Sequence, residues 1–277
     1  MKVILDMLRY EFIVRALVVG LLVSLCAALL GVSLVLKRCS MIGDGLSHVG
    51  FGAMAIATAF GWAPLTVSVP VSIIAAFFLL KISENRKING DAAIAVISAA
   101  ALAIGVMAVS LTTGMNVDID SYLFGSILTL APKDVPLSLT LSAAVIVLFV
   151  LFYNKILAVT FDENFAKATG TKAGAYNMML AFLTAVTVVL GMRMMGALLI
   201  SSLVIFPALT SMRIFKKFKT VTICSAIISV ICFLTGFVIS YLIGTPPGAS
   251  VVVVNVAALI LFWAAEKLRG GLRAVSR

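Results

Sequence analysis

The chain has 277 residues, of which 62% are apolar and only 12% charged, and its mean hydropathy is +1.20. A soluble protein of this length needs far more polar surface, so a soluble globular fold is excluded. The net charge of +10 does not indicate nucleic acid. No basic cluster is interleaved with aromatics, and basic residues of membrane proteins collect in cytoplasmic loops.

Apolar runs of about twenty residues recur from end to end and predict an all-α polytopic membrane protein. Residues 1–11 are mixed and interfacial, with no cleavage signature after them. The first span is expected over Phe12–Leu36, ending at Lys37-Arg38, and the second over Met41–Phe60. Gly61-Trp62-Ala63-Pro64 reads as a tight turn with an interfacial tryptophan. A third, short span covers Leu65–Leu80. A fourth, Asp91–Thr113, is dense in alanine (Ala92, Ala93, Ala95, Ala99, Ala100, Ala101, Ala103). Small residues all round predict a central helix that lines a path. After it come Asp118, Asp120 and a short apolar piece, Tyr122–Leu128, expected as a half-helix or surface helix. The fifth span is Val135–Tyr153.

The polar interval 154–173 follows. Asp162 and Glu163 early, Lys167 later and Gly170 at the end predict a short capped helix. Gly170-Thr171-Lys172 is not a phosphate-binding loop: the upstream glycine is missing and Ala173 stands where Ser or Thr belongs. Four more spans follow over Gly174–Gly191, Ala197–Met212 (with Pro207 inside), Thr220–Ile243 and Ala249–Ala265, the last two separated by Gly244–Gly248. The count is nine, with eight as the alternative if short pieces merge.

With the N-terminus outside and nine crossings, the inner segments hold Lys37, Arg38, Lys81, Arg86, Lys87, Lys155, Lys167, Lys172, Arg213, Lys216, Lys217, Lys219, Lys267, Arg269, Arg273 and Arg277. The outer ones hold Lys2, Arg9, Arg15, Lys133 and Arg193. That split, 16 against 5, obeys the positive-inside rule and puts the C-terminus in the cytoplasm.

The sole histidine, His48, follows Asp44 by four residues. On a helix the two share a face. Ionisable groups inside an apolar segment suggest function, and carboxylate oxygen plus imidazole nitrogen suits zinc or manganese. A plain Asp–His tie between helices is the blander alternative. Asp44 lies soon after Lys37-Arg38, hence near the inner side, whereas translocation sites lie nearer the midplane. The first span is longer than a bilayer requires, which would let the chain re-enter and carry Asp44 deeper. Cys26, Cys39, Cys224 and Cys232 lack metal-site spacing and read as buried small hydrophobes, with Cys39 a candidate extra soft ligand.

Arg38 followed by Ser40-Met41-Ile42-Gly43-Asp44-Gly45-Leu46-Ser47-His48 resembles the signature of permease subunits of zinc and manganese ABC importers. Asp120–Gly125, Phe161–Ala166 with Gly170, Gly196–Ile200 running to Phe206-Pro207-Ala208, and Thr245–Ala249 match that family in order. Gly45 and Val49 depart from it without removing a ligand. The resemblance implies a single transmembrane permease domain over 1–277, built like the larger (type II) cobalamin and siderophore importers. It implies a homodimer in the cell membrane, two cytoplasmic ATP-binding subunits and an extracytoplasmic metal-binding protein. Asp44 and His48 would contact the passing metal. The interval 154–173 would be the coupling region, with Phe161, Asp162, Glu163, Phe165, Ala166 and Gly170 docking on the ATPase. No catalytic residue and no resident cofactor is expected; the divalent metal is cargo. Other classes are a stand-alone metal carrier or channel and an intramembrane enzyme, for which Asp44–His48 is the sole candidate pair. Asp118 and Asp120 would be a solvated outer loop, or would funnel cations or receive the binding protein.

Overall fold

The computed structural model describes residues 7, 9–83, 90–112, 125 and 132–275. The described residues are helical, with no strand among them. The helices are α1 (Glu11–Leu36), α2 (Met41–Ala59), α3 (Pro64–Ser83), α4 (Gly90–Thr112), α5 (Val135–Leu151), α6 (Tyr153–Phe161), α7 (Glu163–Ala168), α8 (Ala173–Met195), α9 (Ala197–Ile214), α10 (Phe218–Ile243) and α11 (Pro247–Val275). A helix stands at each of the nine expected spans. Six of them (α1, α3, α4, α8, α10 and α11) are long and apolar enough to cross a membrane, and a seventh span results if α5 and α6, bent by 69° at Phe152, count as one. In α2, glycines, Asp44 and His48 dilute the apolar character. The apolar stretch Leu199–Ile214 of α9 is shorter than the others. Asp118, Asp120 and Tyr122–Leu128 lie outside the described residues, except Gly125.

The outer surface is greasy. Leu111, Val96, Ile243 and Val253 are each more than two-thirds exposed, as befits helices solvated by lipid rather than water. Inside, α1 and α8 form the axis: 67% and 72% of their apolar windows are buried. Hydroxyls stitch α10 to α1, with Ser229 Oγ donating to Ser24 O at 2.8 Å and Ser225 Oγ to Ala28 O at 3.3 Å. Such bonds are worth about 0.6 kcal/mol each in a membrane interior. They fix register more than they add stability.

Within the single chain the alanine-rich α4 lies at the periphery. Only 22% of its window is buried. Ala101 and Gly105 serve its crossing with α2. A Cβ on Gly52 would stand 2.5 Å from Ala101 O, and one on Gly105 2.8 Å from Gly52 Cα. The backbones touch there because both lack side chains. The alanines Ala92, Ala95, Ala99, Ala100 and Ala103 are exposed, so alanine density alone does not say which face is covered.

The first connection positions the site. Arg38 adopts φ +58°, the left-handed conformation that usually falls to glycine. Its N–H bonds to Val35 O at 3.1 Å, and Cys39 N–H bonds to Leu34 O at 2.9 Å. This Schellman turn ends α1 abruptly. Two residues after Arg38 the chain is at Ser40, and α2 begins with Met41.

The polar interval 154–173 contains two short helices where one was expected. Asn154 already lies in α6, whose Ile156 and Val159 are buried. Aromatic contacts hold the bend: Tyr153 lies 5.4 Å from Phe218 and Phe161 5.9 Å from Phe218, centroid to centroid.

Candidate functional site

Asp44 and His48 sit in the first two turns of α2 and share a face. Asp44 Oδ2 lies 3.8 Å from His48 Nε2, too far for a hydrogen bond. Two donors holding one cation at about 2.1 Å each can stand up to about 4.2 Å apart, so the separation suits a shared divalent ion. The side chains are 34% and 14% exposed. They line an open hollow of about 330 Å³ with Met41, Ile94, Ala95, Ser98, Ala99 and Leu102. Thus α4, though peripheral, walls the hollow. A Cβ on Gly45 would stand 2.7 Å from Ile94 Cγ2 and 3.4 Å from Ser98 Oγ, so Gly45 lets this wall come close.

The structure adds a residue that sequence reasoning missed. Ser201, in the second turn of α9, donates its Oγ to Asp44 Oδ1 at 3.0 Å. That bond turns Oδ2 toward His48 and holds α9 against α2. Nothing in the sequence separates Ser201 from its neighbour Ser202, whose hydroxyl bonds to Leu199 O instead. His48 Nδ1 is buried with no hydrogen-bond partner among the described residues. Among the described residues no third His, Cys, Asp or Glu joins the pair. Cys39 does not: it faces a different cavity, beside Lys37 and Glu163.

The second site is α7. Asp162 caps it, accepting from Phe165 N–H at 2.9 Å. Gly170, at φ +79°, closes it with a second Schellman turn, in which Gly170 N–H bonds to Lys167 O and Thr171 N–H to Ala166 O. The expected short capped helix is therefore present. Phe161 and Phe165 are 61% and 63% exposed. Ala166 is fully buried against Val159 and Ala173, so it seats the helix and offers no surface to a partner. Glu163 accepts from Lys167 Nζ at 2.7 Å and Asn177 Nδ2 at 3.0 Å. These bonds, Lys167's first, hold its carboxyl below the ordinary glutamate range against the opposing effect of burial.

A third polar feature lies away from both sites. The buried pair Arg193–Asp134 ties the end of α8 to the turn before α5.

The profile of the ABC 3 transport family matches residues 9–266. The "High-affinity zinc uptake system membrane protein ZnuB" of Haemophilus influenzae is 28% identical over 255 residues, 91% of this chain and 97% of that one. The "Manganese transport system membrane protein MntC" of Halalkalibacterium halodurans is 26% identical over 264 residues, 95% and 90% of the two chains. A chain in the solved structure "PsaBC from Streptococcus pneumoniae in complex with Fab" superposes with a TM-score of 0.84 at 25% identity, covering 95% of this chain and 94% of that one.

Proposed function

The chain belongs to the ABC 3 transport family, and from that membership we propose that it is the membrane-spanning subunit of an ATP-driven importer of zinc or manganese. The observation that carries the proposal is the Asp44–His48 pair, spaced for one shared cation and facing a hollow between apolar helices. Two such subunits enclose the path. ATP is hydrolysed on separate cytoplasmic subunits docked at α7, and an extracytoplasmic protein delivers the ion.

The bare ion cannot cross hydrocarbon. Asp44 and His48 replace part of its hydration shell, strongly enough to admit it and weakly enough to release it. ATP-driven displacement of α7 opens the hollow alternately to the two sides. The nine helices cross nine times, with the C-terminus in the cytoplasm. Contacts support this: Lys37, Leu80, Glu163 and Asn177 line one cavity, and all belong to inner ends in that topology. The exposed Phe161 and Phe165 supply the apolar docking surface.

The test is uptake into vesicles carrying the chain together with its ATP-binding subunits. ATP-dependent entry of Zn²⁺ or Mn²⁺, lost in Asp44→Asn and His48→Ala while the complex still assembles, is expected. Normal uptake in both variants would remove the pair from the path. Uptake by the chain alone, without ATP, would make it a stand-alone carrier. Comparing the two ions identifies the cargo, since Asp and His serve both.

A further inference from the structure

A partly buried polar thread joins the docking helix to the turn that precedes the metal hollow. It starts at Glu163, the first residue of α7. Asn177, at 3% exposure, donates its Nδ2 to Glu163 Oε2 at 3.0 Å. Its amide oxygen accepts from Lys37 Nζ, and that ammonium lies 3.7 Å from Glu163 Oε2. Lys37 caps α1. Between it and α2 stands the Schellman turn, and Asp44 lies in the first turn of α2.

The chemistry of the middle residue is specific. An amide offers an acceptor at one atom and two donors at another. Asn177 can therefore accept a hydrogen bond from the ammonium and donate one to the carboxylate at once. A purely apolar residue of that size would break both hydrogen bonds, leaving Lys37 and Glu163 joined only across their 3.7 Å separation. A cavity of about 210 Å³ borders the thread, lined by Leu34, Cys39 and Ile42 among others. It gives Lys37 and the turn room to shift without breaking the packed core.

We propose that Lys37–Asn177–Glu163 is the mechanical link by which movement of α7 reaches the α1–α2 turn and so Asp44, with Asn177 as the positioning residue at its centre. The link spans 140 residues of sequence between Lys37 and Asn177, so backbone continuity does not duplicate it. The turn between Lys37 and α2 is short and conformationally locked, so a pull on the Lys37 ammonium is passed to α2 rather than absorbed. The proposal rests on the importer reading given above.

The experiment uses the complete transporter (permease, ATP-binding subunits and metal-delivery protein) in vesicles, with Zn²⁺ and Mn²⁺ chlorides and ATP. Asn177→Leu and Lys37→Met are compared singly and together. Expected is normal co-purification of the ATP-binding subunits and continued ATP hydrolysis, with metal ions moved per ATP falling at least tenfold in each variant. The double variant should be no worse than the more severe single one, because one thread is cut only once. A ratio within twofold of the unmodified protein, or losses that multiply in the double variant, would overturn the link. Direct metal binding to the purified permease, unchanged in both variants, excludes mere unfolding of the hollow; binding lost in proportion to uptake would also overturn it. If the unmodified permease neither retains the ATP-binding subunits nor transports with ATP, the importer reading itself fails, a result distinct from a broken link.

Discussion

Ser201→Ala tests the geometry of the hollow directly. The substitution removes the hydroxyl that donates to Asp44 Oδ1 at 3.0 Å and little else, since Ser201 is only 8% exposed and alanine keeps its Cβ. A hydrogen bond to a charged group contributes about 1.5–3 kcal/mol. Asp44 is one-third exposed, so water replaces part of the loss and the lower figure applies. At about 1.4 kcal/mol per tenfold, metal affinity should fall by about tenfold, at the low end of the 10–100-fold usual for residues that orient a ligand. The assay is titration of purified permease with Zn²⁺ or Mn²⁺ against a competing chelator, with thermal unfolding as a check on folding. Ser201→Thr keeps the hydroxyl and should stay within about threefold. A Ser201→Ala protein that binds within twofold of the unmodified chain would refute the idea that α9 orients Asp44.

Gly52→Ala should lower stability by about 1–3 kcal/mol, because its Cβ meets the Ala101 backbone, which cannot rotate away. Gly43→Ala, in the same helix with nothing within 4 Å of a built Cβ, should raise it by about 0.5–1 kcal/mol; thermal unfolding in detergent reads both. Arg193→Met should cost about 3–5 kcal/mol by stranding Asp134, and Arg193→Met/Asp134→Asn should recover most of it; a double-mutant cycle measures the recovery. Glu163 has a depressed folded pKa, so its contribution is present above its unfolded pKa and is lost as pH falls through the folded one. Hydrogen-exchange protection of residues 163–168 should therefore decline below the ordinary glutamate range, and Glu163→Gln should flatten that dependence.

Where sequence reasoning succeeded, the cause was local. The position of α7 follows from Asp162, Glu163, Lys167 and Gly170, each acting within one turn of its own backbone. The six long apolar helices follow from runs of apolar residues, and Gly61, Gly196 and Gly244, which mark breaks in the sequence, adopt φ of +72°, +86° and +73°. Where reasoning fell short, the cause was tertiary. The bend at Phe152 depends on Tyr153 and Phe161 meeting Phe218, a partner distant in sequence. The rank of α4 depends on which of its faces finds a neighbour. Ser201 and Ser202 have the same side chain, and only the rotation of α9 decides which reaches Asp44.

The depth of the Asp44–His48 pair shows how one long-range contact changes a linear argument. Counted from Lys37-Arg38, Asp44 stands close to the inner end. Counted from its partner, it stands far from it. Ser201 lies thirteen residues before Ile214 along α9, which is about 20 Å at 1.5 Å per residue. The hydrocarbon layer is about 30 Å thick. Measured along α9, the carboxylate is therefore well inside the apolar slab if Arg213 and its neighbours mark the inner boundary. The two counts agree only if the turn at Arg38 lies inside the slab, in which case α1, 26 residues or about 39 Å long, is displaced toward the outer side. A paramagnetic label at Ser201, probed with oxygen and a water-soluble nickel chelate in lipid discs, should report accessibility near the membrane centre. Accessibility like that of a label at Arg213 would place the hollow at the inner surface and break the reconciliation.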